Sequence, residues 1–286
     1  MKKGYVHAIL SAFFFGLAGV LVKLALKTGL ESIELIVLQY MVSIPLLFLY
    51  IFITDKNKLK LTKTQLLNLI ILGVAGNAPM TIFYYNAFDN LPAPIVTIVL
   101  YTYPFIIFLY NTLFFRRKID KKILFLIIIG FLGAILTLNI IGGNDIYSSI
   151  GIFYALMAAI FFAFMNMFCE KKLMVVDSFV INTYSTFFSL ISLLVYNYAH
   201  MAFLAKVTLP LVINVGILSL FCEVLPLTLL YSGIKKIGGL KTSMIGNLEI
   251  PTAIILSALV LNEKLVGAQF IGVALIIYST YQIKKD

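Results

Sequence analysis

Ten apolar runs, each long enough to cross a bilayer as a helix, take up most of this chain of 286 residues. They cover approximately 5–27, 33–53, 66–86, 94–115, 122–141, 147–169, 179–198, 211–233, 242–261 and 267–283. Lipid offers no partner to a backbone N–H or C=O, so a spanning segment satisfies its own backbone as a helix or closes into a barrel. A barrel strand alternates apolar and polar positions, and these runs do not. The expected fold class is therefore all-α integral membrane, with ten transmembrane helices. Composition agrees. The chain is 62% hydrophobic and 12% charged, where soluble domains carry about 25% charged residues.

The charged residues orient the chain. With the N-terminus placed inside, eighteen of the 22 Lys and Arg fall on inner segments: Lys2 and Lys3; Lys56 to Lys63; Arg116, Arg117, Lys118, Lys121 and Lys122; Lys171 and Lys172; Lys235, Lys236 and Lys241; Lys284 and Lys285. Only Lys23, Lys27, Lys206 and Lys264 fall outside. The positive-inside rule then predicts a multi-pass protein of the inner membrane with both termini cytoplasmic. The Met-Lys-Lys start resembles a signal peptide, but the apolar run that follows is too long for one and reads as a retained helix. The net charge of +10 lies in short loops, so it serves topology and implies no nucleic acid. Cys169 and Cys222 lie inside apolar runs and act as small hydrophobes. His7 and His200 are far apart, and neither a metal site nor a cofactor is expected.

The chain also repeats itself. Pro79-Met80-Thr81-Ile82-Phe83-Tyr84 returns about 147 residues later as Pro226-Leu227-Thr228-Leu229-Leu230-Tyr231. Phe14-Phe15-Gly16 returns as Phe161-Phe162-Ala163, and Pro104 as Pro251, at the same spacing. Two units follow, 1–143 and 144–286, with five helices each. Five is odd, so the second unit enters from the opposite side and the repeats are inverted, the arrangement of many secondary transporters.

The order of these features resembles the drug/metabolite transporter superfamily, in its branch of tandem five-helix EamA-type repeats. The residues that carry the resemblance are Phe14-Phe15-Gly16, Val99-Leu100-Tyr101-Thr102-Tyr103-Pro104, and Leu261-Asn262-Glu263-Lys264 followed by Gln269 to Ile276. One position departs: Arg116-Arg117 stand where the family commonly ends its fourth helix with a glutamate, as Glu263 ends the ninth here. The resemblance implies a secondary carrier for small organic molecules, often an exporter.

Candidate chemistry lies in two intramembrane acids, Glu223 and Glu249. An ionised side chain at the bilayer centre costs about 3 kcal/mol on insertion scales, so it calls for a proton, a cation or a polar cavity. Each has a proline nearby, Pro226 and Pro251, and Pro79 and Pro104 match them in the first half. Proline removes an N–H and frees carbonyls, so these four positions are expected hinges around a central site. Asn77, Thr81 and Tyr84 fall on one helix face at i, i+4 and i+7. Thr97, Tyr101, Pro104 and Asn111 form a second stripe, and Asn166, Gln39, Tyr40, Tyr85, Tyr103 and Tyr231 could add polar or aromatic walls. Gly16 and Gly19 suit close helix packing.

The expected substrate-binding set is Asn77, Thr81, Tyr84, Tyr101, Asn166, Glu223, Tyr231 and Glu249, with Glu223 as the coupling residue. No nucleophile, metal or phosphate-loop motif is present, so the energy source is an ion or substrate gradient. The expected function is secondary transport, as export, of an amine-bearing metabolite such as an amino acid or organic cation, by alternating access in antiport with protons. Its partners are the small-molecule substrate, protons and the lipid bilayer. A passive channel and a membrane-embedded enzyme or lipid-handling protein are the rival readings.

Overall fold

The computed structural model describes residues 2–26, 31–115, 120–139, 147–261 and 265–285. The expectations placed on Gly19, Lys23, Lys27, Arg116, Arg117, Lys118, His200, Lys206, Glu263, Lys264, Lys284, Lys285 and the 143/144 boundary lie outside the described residues or side chains.

Every regular element described is helical. The first two apolar runs are single helices, α1 (Lys2–Leu26) and α2 (Ser32–Asp55). The third is split into α3 (Lys63–Leu72) and α4 (Ala78–Phe88), and the fourth into α5 (Ala93–Leu100) and α6 (Tyr103–Phe115). Then come α7 (Lys121–Thr137), α8 (Ser149–Lys172) and α9 (Ser178–Tyr196). The eighth run is split into α10 (Leu209–Ser219) and α11 (Leu225–Ile237), and the ninth into α12 (Gly239–Gly246) and α13 (Glu249–Leu261); α14 (Gly267–Lys285) closes the chain. The ten expected runs are all present as helix. Seven stretches of the described residues are long and apolar enough to cross a membrane by length and composition, and one shorter apolar helix, Gly267–Ile283, joins them.

Polar caps mark where the helices begin. Thr62 Oγ1 accepts from the Gln65 amide, and Gln65 Oε1 accepts from the Thr62 amide, a reciprocal box that starts α3. Asp120, Ser148 and Asp177 cap α7, α8 and α9 by accepting first-turn backbone amides, without the reciprocal bond. Gly238, at φ 85°, ends α11 in a conformation that a Cβ disfavours.

The four split runs are the ones with a proline at the expected positions. Gly73–Asn77 and Leu220–Val224 are π-turns, each closed by an i→i−5 bond: Ala78 N–H to Gly73 O and Leu225 N–H to Leu220 O. Pro79 and Pro226 follow two residues after each turn. A proline ring clashes with the carbonyl of the preceding turn, and the wider π-turn relieves that clash. In the fourth run, a turn at Tyr101-Thr102 separates the two helices before Pro104. In the ninth, Asn247-Leu248 does so before Pro251. Glu249 is therefore the first residue of a half-helix and not the interior of an unbroken one.

Packing crosses the two halves. The first π-turn packs on α9 and the second on α2, while α2 and α9 pack on each other. Small residues permit the closest approaches. A Cβ on Gly133 of α7 would sit 2.8 Å from Gly272 O of α14, and one on Gly16 of α1 would sit 2.9 Å from Glu249 O. Without a hydrophobic drive between helices in lipid, such contacts and interhelical hydrogen bonds hold the bundle. Gln269 Nε2 donates to Thr137 O at 2.9 Å, and Ser279 Oγ donates to Leu126 O at 2.7 Å.

The segments carrying most of the basic residues meet at one end. Lys58 Nζ pairs with Asp177 at 2.9 Å, Tyr50 stacks on Phe179 at 4.2 Å, Glu170 accepts from the Gly239 amide at 2.8 Å, and Lys236 Nζ lies 3.0 Å from His7 Nδ1.

Candidate functional site

The second π-turn places Glu223 against α9. Glu223 is 6% exposed, and its Oε1 lies 2.9 Å from Thr186 Oγ1. Thr186 Oγ1 lies 3.0 Å from Asn182 Oδ1, one turn earlier on the same helix. Asn182 Nδ2 donates to Val224 O at 3.3 Å and to Thr228 Oγ1 at 3.0 Å. Four polar side chains from α9 and the broken eighth run thus form one connected cluster in an apolar bundle. Such an arrangement is costly unless its members satisfy one another.

The first π-turn carries a different cluster. Tyr40 Oη of α2 donates to Asn77 Oδ1 at 3.2 Å and lies 3.3 Å from Thr81 Oγ1. Thr81 Oγ1 donates to Asn77 Oδ1 at 3.4 Å. Asn77 Nδ2 is buried with no partner. Tyr40 also lies within electrostatic reach of Glu223, as does Tyr85 of α4, so the two clusters adjoin.

Glu249 gathers the remaining tyrosines. Tyr84, Tyr101 and Tyr103 lie within electrostatic reach of it. Tyr103 Oη donates to Ser243 O at 3.0 Å. Tyr101 is 4% exposed and its hydroxyl faces the Glu249 carboxyl. Glu249 keeps part of its surface accessible although it lies deep in the bundle. Tyr84 and Tyr85 meet edge to face, ring centroids 5.9 Å apart. Tyr85 is in reach of Glu223 and Tyr84 of Glu249, so this ring pair adjoins both acids. A buried orphan donor such as Asn77 Nδ2 is uncommon and calls for an explanation.

The structure thus gathers Asn77, Thr81, Tyr84, Tyr101, Glu223 and Glu249. It places Tyr231 within electrostatic reach of Glu223 but closed over by core, and it sets Asn166 apart. Tyr231 is fully buried in an apolar cluster with Leu69, Leu72 and Met165, its hydroxyl 3.4 Å from Ser185 Oγ. Asn166 Nδ2 donates to Phe162 O of its own helix at 2.8 Å, its Oδ1 is buried with no partner, and its backbone carbonyl lies near Gly239 at the basic end. In the second stripe Thr97 also bonds its own helix, to Ala93 O. Asn111 lines a recess of about 190 Å³ with Asp120, Glu170 and Lys241 at the basic end. Asn182 and Thr186 are new to the site. They were readable: Asn182, Thr186 and Ser189 stand at i, i+4 and i+7 in an otherwise apolar run.

A second recess of about 230 Å³ opens between α1, α9 and α11 at the basic end. His7, Asp177 and Ser232 line it together with Thr228, the hydroxyl that accepts from Asn182. The Glu223 cluster is therefore one side chain away from a recess at that end.

Comparison with known proteins agrees with this architecture. The profile of the EamA-like transporter family matches twice, over residues 2–139 and 149–283. A Clostridium kluyveri protein named as an uncharacterized transporter is 24% identical over 97% of this chain and 91% of its own length. The pseudopaline exporter CntI of Pseudomonas aeruginosa is 25% identical over 56% of this chain and 55% of its own. A solved crystal structure superposes with a TM-score of 0.76 at 16% identity, covering 97% of both chains, which shows a shared fold. With both halves matched and ten helical runs in place, the chain is a multi-pass membrane protein that belongs to the EamA-like transporter family.

Proposed function

We propose that this transporter exports a small metabolite bearing an amine, an amino acid or organic cation, in exchange for protons, with Glu223 as the coupling carboxyl. The observation that carries the reading is the pair of acids, Glu223 and Glu249, held at helix breaks among Tyr40, Tyr84, Tyr85, Tyr101 and Tyr103. Among the described residues no basic side chain lies in reach of either acid. Carboxylates and tyrosine faces both attract an ammonium group, more strongly where water is excluded. The unpaired Asn77 Nδ2 supplies donors for an acceptor on the same substrate, such as a carboxylate.

The mechanism follows from competition. A buried carboxylate needs a proton or a cation to neutralise it, so proton and substrate exclude each other at Glu223 and their movements are coupled. The two halves, 1–143 and 144–286, act as inverted repeats that rock about the four broken helices, with Pro79, Pro104, Pro226 and Pro251 at the hinges. The basic end faces the cytoplasm of an inner membrane, and both termini lie there.

A thermal-shift screen of the purified protein against amino acids, polyamines, quaternary amines and nucleosides tests the substrate class. A ligand selective for the folded state raises apparent stability by mass action. Amine-bearing compounds are expected to stabilise and then to drive counterflow in proteoliposomes. Stabilisation by nucleosides alone would overturn the class.

A further inference from the structure

Around Glu223 the hydrogen atoms can be counted. An amide has two donor hydrogens and an acceptor oxygen, a hydroxyl has one hydrogen, and a carboxylate has none. One amide atom of Asn182 lies 3.3 Å from Val224 O and 3.0 Å from Thr228 Oγ1. A carbonyl oxygen only accepts, so this atom is Nδ2, and both its hydrogens are used there. Asn182 Oδ1 then faces Thr186 Oγ1 at 3.0 Å, and Thr186 Oγ1 also faces Glu223 Oε1 at 2.9 Å. One hydroxyl hydrogen cannot serve both oxygens. If it goes to Glu223, Asn182 Oδ1 is left without its Thr186 donor at a fully buried residue. If it goes to Asn182, the contact with Glu223 is a hydrogen bond only when the acid itself donates.

We propose that Asn182, acting through Thr186, holds Glu223 as the protonated acid in this conformation, and that the proton leaves only when this chain of bonds is broken. The proposal rests on the reading of Glu223 as the coupling carboxyl, and it makes Asn182 and Thr186 positioning residues that need not touch substrate. Release is a simple proton transfer. The Glu223 O–H bond breaks, the proton passes to water admitted as α9 and the π-turn part, and the Thr186 hydrogen turns toward the new carboxylate. The other titratable groups facing Glu223 are Tyr40 from α2, Tyr85 from α4, and Cys222 and Tyr231 from its own run. None brings positive charge. Among the described residues, α1 and α10, which also pack on the π-turn, bring it no charged side chain. The chain of bonds is thus the feature that sorts the two protonation states.

Asn182→Leu keeps the volume, removes the acceptor and frees the Thr186 hydrogen for the carboxylate. The probe is the infrared carboxylic-acid C=O band of the purified protein in liposomes, identified by its loss in Glu223→Gln. Wild type is expected to show this band at neutral pH. Asn182→Leu is expected to lose it severalfold to the carboxylate band, and its pH-driven flux profile moves toward acid by about one unit, tenfold in proton activity. Thr186→Ser keeps the hydroxyl and stays like wild type. Should Asn182→Leu fail to insert, Asn182→Ala is read the same way. An unchanged band and flux profile in the Asn182 variants, or no acid band in wild type, overturns the proposal. If Glu223→Gln itself retains pH-driven flux, the coupling reading has failed instead, whatever the Asn182 variants do.

Discussion

The π-turn Gly73–Asn77 packs on α9 with glycine at 73 and 76, whereas its counterpart Leu220–Val224 packs on α2 with Leu220 and Glu223 at the matching positions. The backbone device is the same in both, a widened turn two residues before a proline. What it presents differs. The first turn brings Asn77 to Tyr40 and Thr81, a neutral cluster with spare amide hydrogens. The second brings an acid to Thr186 and Asn182. Repetition supplied two symmetric breaks, and the side chains then divided the work: donors on one side, acids on the other. Under the proposed function, that division would suit a substrate with unlike ends.

The steepest way to break this comparison is steric. A Cβ at Gly73 would sit 2.6 Å from Phe188 Cβ and 2.7 Å from Ser185 O, whereas Leu220 at the equivalent place is 39% exposed. Gly73→Ala is expected to destabilise the protein by about 1–3 kcal/mol through overpacking, and Leu220→Ala by roughly 0.5 kcal/mol or less. Thermal unfolding in detergent measures both, and equal effects would show that the two turns are packed alike.

Next in size are the polar groups beside the two acids. Asn77→Ala and Tyr101→Phe each remove a group whose partner is expected to be the substrate. Losing such a bond costs about 1 kcal/mol, roughly fivefold in affinity. Unchanged transport constants in both variants would move the site elsewhere.

The smallest effect is expected at the tie between the halves. Lys58 and Asp177 are 38% and 30% exposed, so a double-mutant cycle on Lys58→Ala and Asp177→Ala should return about 0.2–1 kcal/mol. A coupling well above that would mark the pair as a structural clamp between the repeats.

Much of this was legible in the sequence for physical reasons. Lipid forces helices, so the ten apolar runs become helical, and each of the four split runs carries a proline just after its break, although α2 takes Pro45 without one. Glu223 stood out because an acid in an apolar run has no cheap explanation. Two cases teach more. Tyr231 repeats Tyr84 at the same spacing and also lies in reach of Glu223, yet Leu69, Leu72 and Met165 close over it, because periodicity fixes a face of a helix and not what packs on that face. Asn182 and Thr186 escaped notice because hydroxyls and amides in helices so often bond their own preceding turn, as Thr97 and Asn166 do. Only the position of α9 against the second π-turn shows that these two reach across.

The central claim is that Glu223 links substrate movement to protons. Its most direct test is substrate flux in proteoliposomes with and without an imposed pH difference, for wild type and Glu223→Gln. The variant keeps the shape and fixes the neutral state, so it should insert normally. Wild type should accelerate with the gradient and the variant should not respond to it, with weaker binding as well if the substrate is a cation. Gradient-driven flux in Glu223→Gln equal to wild type would contradict the account and leave this acid as a hydrogen-bonding strut.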